Sequence, residues 1–317
     1  MIAFLVSAIR LGMVFLFGST GEIITEKSGH LNLGTPGVMC VGASCGCFAE
    51  YLYLKQVGPY ASPFLAVLIA IVATFIGGFL MGLLFSFLTV TLRANQNVTG
   101  LALTTLGVGI SDFMIAKTGT SFGRASKYFT ASLPFAEDLG WFGKLFLSHG
   151  ILIYLAIAIA LISSFILSKT RIGLNLRSVG ENPATADAAG INVSLYRYLA
   201  TCIGCGISGL GGLTFIMDYL NGNWEYCIDA FGWLSIALVI FTPFLCQLAF
   251  NQAYNNADET GIVEQFDVLA HWLKFLYIGL VNLVYYTILY QIWSSVFCNM
   301  PGTKANNITL WSIIRGK

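Results

Sequence analysis

The chain has 317 residues, of which 56% are hydrophobic and only 10% charged, 16 Lys+Arg against 15 Asp+Glu. Soluble domains carry roughly 25% charged residues, so this composition cannot cover a water-facing surface and argues against a soluble enzyme. A formal net charge of +1 gives no reason to invoke nucleic acid, because phosphate binding needs a clustered basic face. The composition predicts an all-α polytopic membrane protein.

A spanning helix needs about 20 apolar residues, and the apolar runs predict a bundle of roughly eight spans (~8–10). The first, Ile2–Phe17, has no basic stretch before it and reads as a retained anchor. Arg10 is its one central charge. Glu22–Asn32 follows as a polar loop. Leu33–Leu54 opens with Gly34-Thr35-Pro36-Gly37, so it reads either as a plain span or as a broken or re-entrant segment buried in protein. Pro63–Leu92 is long enough to tilt, or to hide a break at Gly77-Gly78. Val98–Ala116 and Trp141–Leu167 flank the polar stretch Lys117–Asp138. Tyr198–Leu220 and Phe231–Phe250 flank the acidic stretch Asp218–Asp229, and the unusual polar insertion Asn251–Gln265 precedes Trp272–Phe297.

Cytoplasmic loops carry an excess of Lys and Arg. The loop Lys169–Arg197, with Lys169, Arg171, Arg177 and Arg197, is therefore expected inside, and Asp218–Asp229 outside. Alternation then places Glu22–Asn32 and the turn Arg93–Asn97 inside. Glu50 and Asp112 lie near span ends, where snorkelling or loop placement explains them. No proton-relay series of acids stands out in the spans.

Several motifs carry no chemistry. Cys202-x-x-Cys205 sits in an apolar stretch without a second pair, so its cysteines read as small hydrophobes. Gly204-x-Gly206-x-x-Gly209 fits a dinucleotide fingerprint but not its strand-to-helix setting, and reads as helix contact. Gly42–Gly46 and Gly78–Gly82 read likewise. His30, His149 and His271 are scattered, so no metal site and no catalytic group is expected.

The segment Lys169–Arg197 is the most informative. Asn182 is a good N-cap, Pro183 suits the first helical position, and Gly190 is a natural stop. Pro183–Ala189 then makes about two turns, too short for stability of their own. Its small side chains let the backbone enter a groove on another protein; the plain alternative is a loop with a helical turn.

Here the sequence resembles a family. Gly173-Leu174 to Arg177, Val179-Gly180-Glu181-Asn182-Pro183 and Ala188-Ala189-Gly190-Ile191-Asn192-Val193 together resemble the coupling loop of bacterial ABC importer permeases of the branched-chain amino acid, ribose and nucleoside group. Gly21–Met39, Arg93–Phe113 and Gly232–Phe241 are similar to further segments of the simple-sugar and nucleoside members. The resemblance covers about residues 2–241 of a single permease domain, 1–317, and leaves 251–317 atypical.

It implies a transport subunit rather than an enzyme, moving nucleosides or simple sugars across the cytoplasmic membrane of a bacterium. ATP would be bound by a separate cytoplasmic ABC ATPase, this chain needing no cofactor. The other implied partners are a second permease subunit (a paralogue or a copy of itself), an external substrate-binding protein and the lipid bilayer. Arg177, Glu181, Asn182, Pro183, Ala184, Ala188, Ala189 and Gly190 would form the surface for the ATPase. Asn32, Asn97, Thr99, Thr104 and Thr105 are candidates for the translocation path. The rival reading is an ion-coupled secondary transporter, expected to show inverted repeats and buried carboxylates, neither of which the sequence displays.

Overall fold

The computed structural model describes residues 2–131 and 149–241. These form α1 (Ile2–Glu26), α2 (Thr35–Val57), α3 (Pro63–Ser86), α4 (Gln96–Thr118), α5 (Gly123–Phe129), α6 (Ile151–Lys169), α7 (Arg171–Glu181), α8 (Pro183–Ala188), α9 (Val193–Thr214) and α10 (Ile228–Phe241). Single π-helical turns, Phe87–Thr91 and Phe215–Tyr219, extend α3 and α9. Among the described residues, six helices are long and apolar enough to cross a membrane: Val6–Glu26, Thr35–Val57, Pro63–Thr91, Gln96–Thr118, Ile151–Lys169 and Val193–Tyr219. Of the remaining expected spans, one begins with α10, a shorter apolar helix. The other, Trp272–Phe297, lies outside the described residues, as do Asn251–Gln265 and the first part of Trp141–Leu167.

Helix α9 runs through the middle of the bundle, packed against α1, α2 and α3. Lipid tails are as apolar as Leu, so membrane helices associate by close fit and small residues rather than by the hydrophobic effect. Glycine provides that fit here. A Cβ on Gly42 of α2 would lie 2.6 Å from Gly209 Cα, and one on Gly78 of α3 would lie 2.5 Å from the Cys205 carbonyl oxygen. A Cβ on Gly204 would meet the Gly21 carbonyl oxygen of α1 at 2.5 Å. The G-x-G-x-x-G and G-x-x-x-G patterns are thus helix contacts. Gly77-Gly78 breaks nothing; the distortion of this span lies at Phe87–Thr91.

Two sequence expectations are corrected. Helix α1 does not end near Phe17 but continues to Glu26, because Ser19, Thr20, Glu22 and Thr25 are buried within the bundle. Asp218 is not a loop residue. It lies in the π-helical turn, fully buried, with its Oδ2 3.7 Å from Arg10 Nε. Gly34-Thr35-Pro36-Gly37 is the start of a plain helix, α2, with proline in its first turn.

The loops sort the bundle into two ends. At one, Leu31 N donates to Gln96 Oε1 at 3.2 Å, and Gly29 lies against Gly180. At the other, Phe122 N bonds Gly222 O at 2.6 Å, Trp224 N bonds Thr120 O at 2.8 Å, and the Arg124 guanidinium bonds Gly58 O at 2.7 Å.

Candidate coupling surface and translocation path

The Thr170 hydroxyl caps α7 by accepting from Gly173 N at 3.2 Å. Gly173, Leu176 and Val179 form the buried face of this helix, while Arg171, Ile172, Leu174 and Glu181 are exposed. Asn175 Nδ2 donates to the Tyr196 hydroxyl at 2.9 Å and pins α7 to α9. Arg177 is half-buried, its Nε without a hydrogen-bond partner.

Asn182 then leaves the helical region and its Oδ1 accepts from Thr185 N at 3.1 Å, starting α8 with Pro183 in the first turn. The end is closed by Gly190 N to Asp187 O at 2.9 Å and Ile191 N to Ala186 O at 3.0 Å. Gly190 has φ +81°, the left-handed region that glycine enters without a Cβ clash. The cap, the proline and the stop stand where the sequence places them, with Ala189 at the C-cap rather than within α8. Only Ala186 turns inward, 1% exposed; Ala184, Ala188 and Ala189 are open to the surface. The result is a two-turn knob of mostly small residues, with Thr185 and Asp187 its exposed polar side chains.

The expected path residues fall on two faces. Asn32 is fully buried: its backbone N–H donates to Glu22 Oε1 at 2.8 Å, Gly34 N donates to its Oδ1 at 2.9 Å, and its Nδ2 lies 3.2 Å from Cys205 Sγ. Thr99 and Thr104 are buried on the packed side of α4, and the Thr104 hydroxyl donates to Leu33 O at 3.1 Å. Asn97 and Thr105 are exposed on its opposite side.

Sequence reasoning missed the carboxylates. Glu22, Glu50 and Asp218 are all buried within spans, against the expectation that none would be. Glu22 also accepts from the Thr35 hydroxyl at 2.7 Å, Asp218 faces Arg10, and both Glu50 oxygens lack a hydrogen-bond partner. Glu50 does not snorkel. Outside the spans, burial and then the nearby Arg197 charge push His30 down to about 4, so it is neutral where it packs edge-on to Phe85. The described residues contain no group of His, Cys, Asp and Glu able to hold a metal ion.

The family model described as branched-chain amino acid transport system / permease component matches residues 4–245. The chain is similar to the guanosine ABC transporter permease protein NupQ of Bacillus subtilis, at 33% identity over 70% of this chain and 69% of that one. It is similar to the nucleoside ABC transporter permease protein NupC of Lactococcus lactis, at 33% identity over 71% of each chain. It is also similar to the putative glucose ABC transporter permease protein TsgC13 of Haloferax volcanii, at 30% identity over 75% of this chain and 70% of that one. No solved structure matches.

Proposed function

The chain belongs to the branched-chain amino acid transport system / permease component family, and from that premise we propose that it carries nucleosides or simple sugars inward as the membrane subunit of an ABC importer. Its partners are a cytoplasmic ATPase that binds the ATP, a second permease subunit and an external binding protein, assembled in the cytoplasmic membrane of a bacterium. The names of the relatives support this substrate class.

The observation that carries the reading is the capped knob α8. A six-residue helix has no stability of its own, yet this one is held by Asn182, by Gly190 and by the burial of Ala186. Its exposed alanines offer a backbone that can sit deep in a groove of the ATPase, with Arg177 and Glu181 at the rim. ATP-driven movement of that groove displaces α7 and α8, and the bundle switches the side on which its path is open. Asn97 and Thr105, with the buried Thr99, Thr104 and Asn32 behind them, line or support that path. Substrate arrives from the binding protein, so small neutral polar groups suffice and tight binding is unnecessary.

Uptake of labelled guanosine, and in parallel of glucose, into proteoliposomes holding the assembled complex tests this. Uptake should require enclosed ATP and survive the collapse of proton and sodium gradients. Uptake driven by an ion gradient without ATP would reject it in favour of secondary transport.

A further inference from the structure

The loop from Lys27 to Leu33 is clasped between the knob segment and four spanning helices. On its outer side it meets α7 without any side chain between. A Cβ on Gly180 would meet the Lys27 carbonyl oxygen and lie 3.2 Å from Gly29 N, while one on Gly29, at φ +86°, would lie 3.3 Å from Gly180 Cα.

On its inner side the loop is bonded at nearly every residue. Leu31 N donates to Gln96 Oε1 of α4, and Leu33 O accepts from Thr104 of α4. Asn32 reaches Glu22 of α1 and Cys205 of α9. Glu22 in turn accepts from Thr35 in the first turn of α2, whose hydroxyl also lies 3.0 Å from Asn32 O. A Cβ on Gly100 of α4 would lie 2.9 Å from both Leu33 N and Gly34 N.

Two physical features make this junction stiff. Backbone against backbone has no rotamer that can yield, so displacement of one side moves the other. Buried hydrogen bonds to a carboxylate are costly to leave unmade.

We propose that the Lys27–Leu33 loop is the relay between the ATPase-docking segment and the helices that open the path, with Glu22, Asn32 and Thr35 as the positioning residues that clamp it to α1, α2 and α9, and Gln96 and Thr104 holding it to α4. The relay rests on the docking reading given above. When α7 moves, Gly180 carries Gly29 with it, the Glu22 clamp passes the displacement to the start of α2, and the bonds to Gln96 and Thr104 pass it to α4. Without the clamp, the ATPase would still dock and turn over, but its motion would be lost in the loop.

The test compares Thr35→Val, which keeps the shape and removes the hydroxyl, with Thr35→Ser, which restores it; Glu22→Gln is the second variant. Each is assembled with its ATPase and binding protein, and four quantities are read: copurified ATPase, melting temperature, ATP hydrolysed and guanosine or glucose moved. The relay predicts normal copurification for Thr35→Val and a melting temperature lowered by only a few degrees, the stranded Glu22 oxygen accounting for the loss. ATP consumed per substrate moved should rise about tenfold, within the usual range for coupling between sites, and Thr35→Ser should return it to the wild-type ratio. Glu22→Gln, which keeps one acceptor oxygen, should raise the ratio less. An unchanged ratio in both Thr35→Val and Glu22→Gln overturns the relay while leaving docking intact. So does a rise that follows the melting temperature and is not rescued by serine. Failure of the wild-type chain to copurify an ATPase removes the docking reading, and the relay with it.

Discussion

Arg10 and Asp218 face each other inside the bundle with 3.7 Å between Nε and Oδ2, and their environments are unequal: the carboxylate is fully buried and the arginine side chain is 23% exposed. Removing one partner of a buried pair is severe because it strands the other charge. Arg10→Met should therefore destabilise the protein by roughly 3–5 kcal/mol. Asp218→Asn should cost less, because the stranded arginine retains some exposure. Thermal unfolding in detergent reads both; equal losses would mean that the pair does not govern the site.

Two glycines of α4 should differ in their tolerance of a side chain. A Cβ on Gly107 would meet the Gly37 carbonyl oxygen and lie 2.6 Å from Gly37 Cα, whereas a Cβ on Gly109 meets nothing within 4 Å. Gly107→Ala should therefore cost about 1–3 kcal/mol through overpacking. Gly109→Ala should stay within about 0.5 kcal/mol of the parent. Melting temperatures at matched detergent concentration decide this.

The knob predicts a division among its own residues. Ala188→Trp and Ala189→Trp place bulk on an exposed face and should abolish ATPase copurification without lowering the melting temperature. Ala186→Trp should disrupt the loop itself, since that side chain is buried. Gly190→Val must adopt φ near +81°, costing about 1–3 kcal/mol and misdirecting the chain into α9. Retention of ATPase by both exposed variants would remove α8 as the docking element.

Acid should loosen the relay loop. His30 is held at about 4 in the folded protein against an ordinary 6.5, so the unfolded chain binds its proton first. Folded stability is then complete above about pH 6.5 and falls as pH drops toward 4, by about 2 kcal/mol at pH 5. His30→Gln should flatten that part of the pH–stability curve. An unaltered slope would show that other groups carry the acid sensitivity.

Orientation can be read chemically. In a background without the native cysteines, Thr185→Cys should label only after the membrane is permeabilised, and Tyr226→Cys should label on intact cells. Both side chains are exposed, at opposite ends of the bundle. The reverse pattern would invert the proposed topology.

How much the sequence disclosed depended on range. The cap at Asn182, the stop at Gly190 and the two-turn knob between them are local chemistry, and the structure reproduces them almost residue for residue. Apolar runs located the six spans for the same reason, because length and hydropathy are properties of a segment alone. What stayed hidden was partnership. Asp218 reads as part of an acidic loop until Arg10, far away in the chain, is seen beside it. Glu22 reads as loop polarity and Asn32 as a path residue, because nothing local says that α1 runs on to Glu26 or that the loop after it is bonded into the bundle. The candidate path suffered likewise: Thr104 and Thr105 are neighbours in sequence, and the turn of α4 sends one inward and the other out.

The unequal lengths of the spans carry a consequence for the surrounding bilayer. Pro63–Thr91 has 29 residues and Ile151–Lys169 has 19, which at about 1.5 Å per residue gives roughly 43 Å and 28 Å. The hydrocarbon layer is roughly 30 Å thick. The shorter helix fits it upright, whereas the longer one, apolar on its outer side from Phe64 to Phe87, has to lean to keep that side out of water. Packing fixes how α3 leans, because Gly78 rests directly on the Cys205 backbone of α9. A bilayer that does not match that slant must thin or thicken around α3, at a cost of a fraction of a kcal/mol per ångström of mismatch.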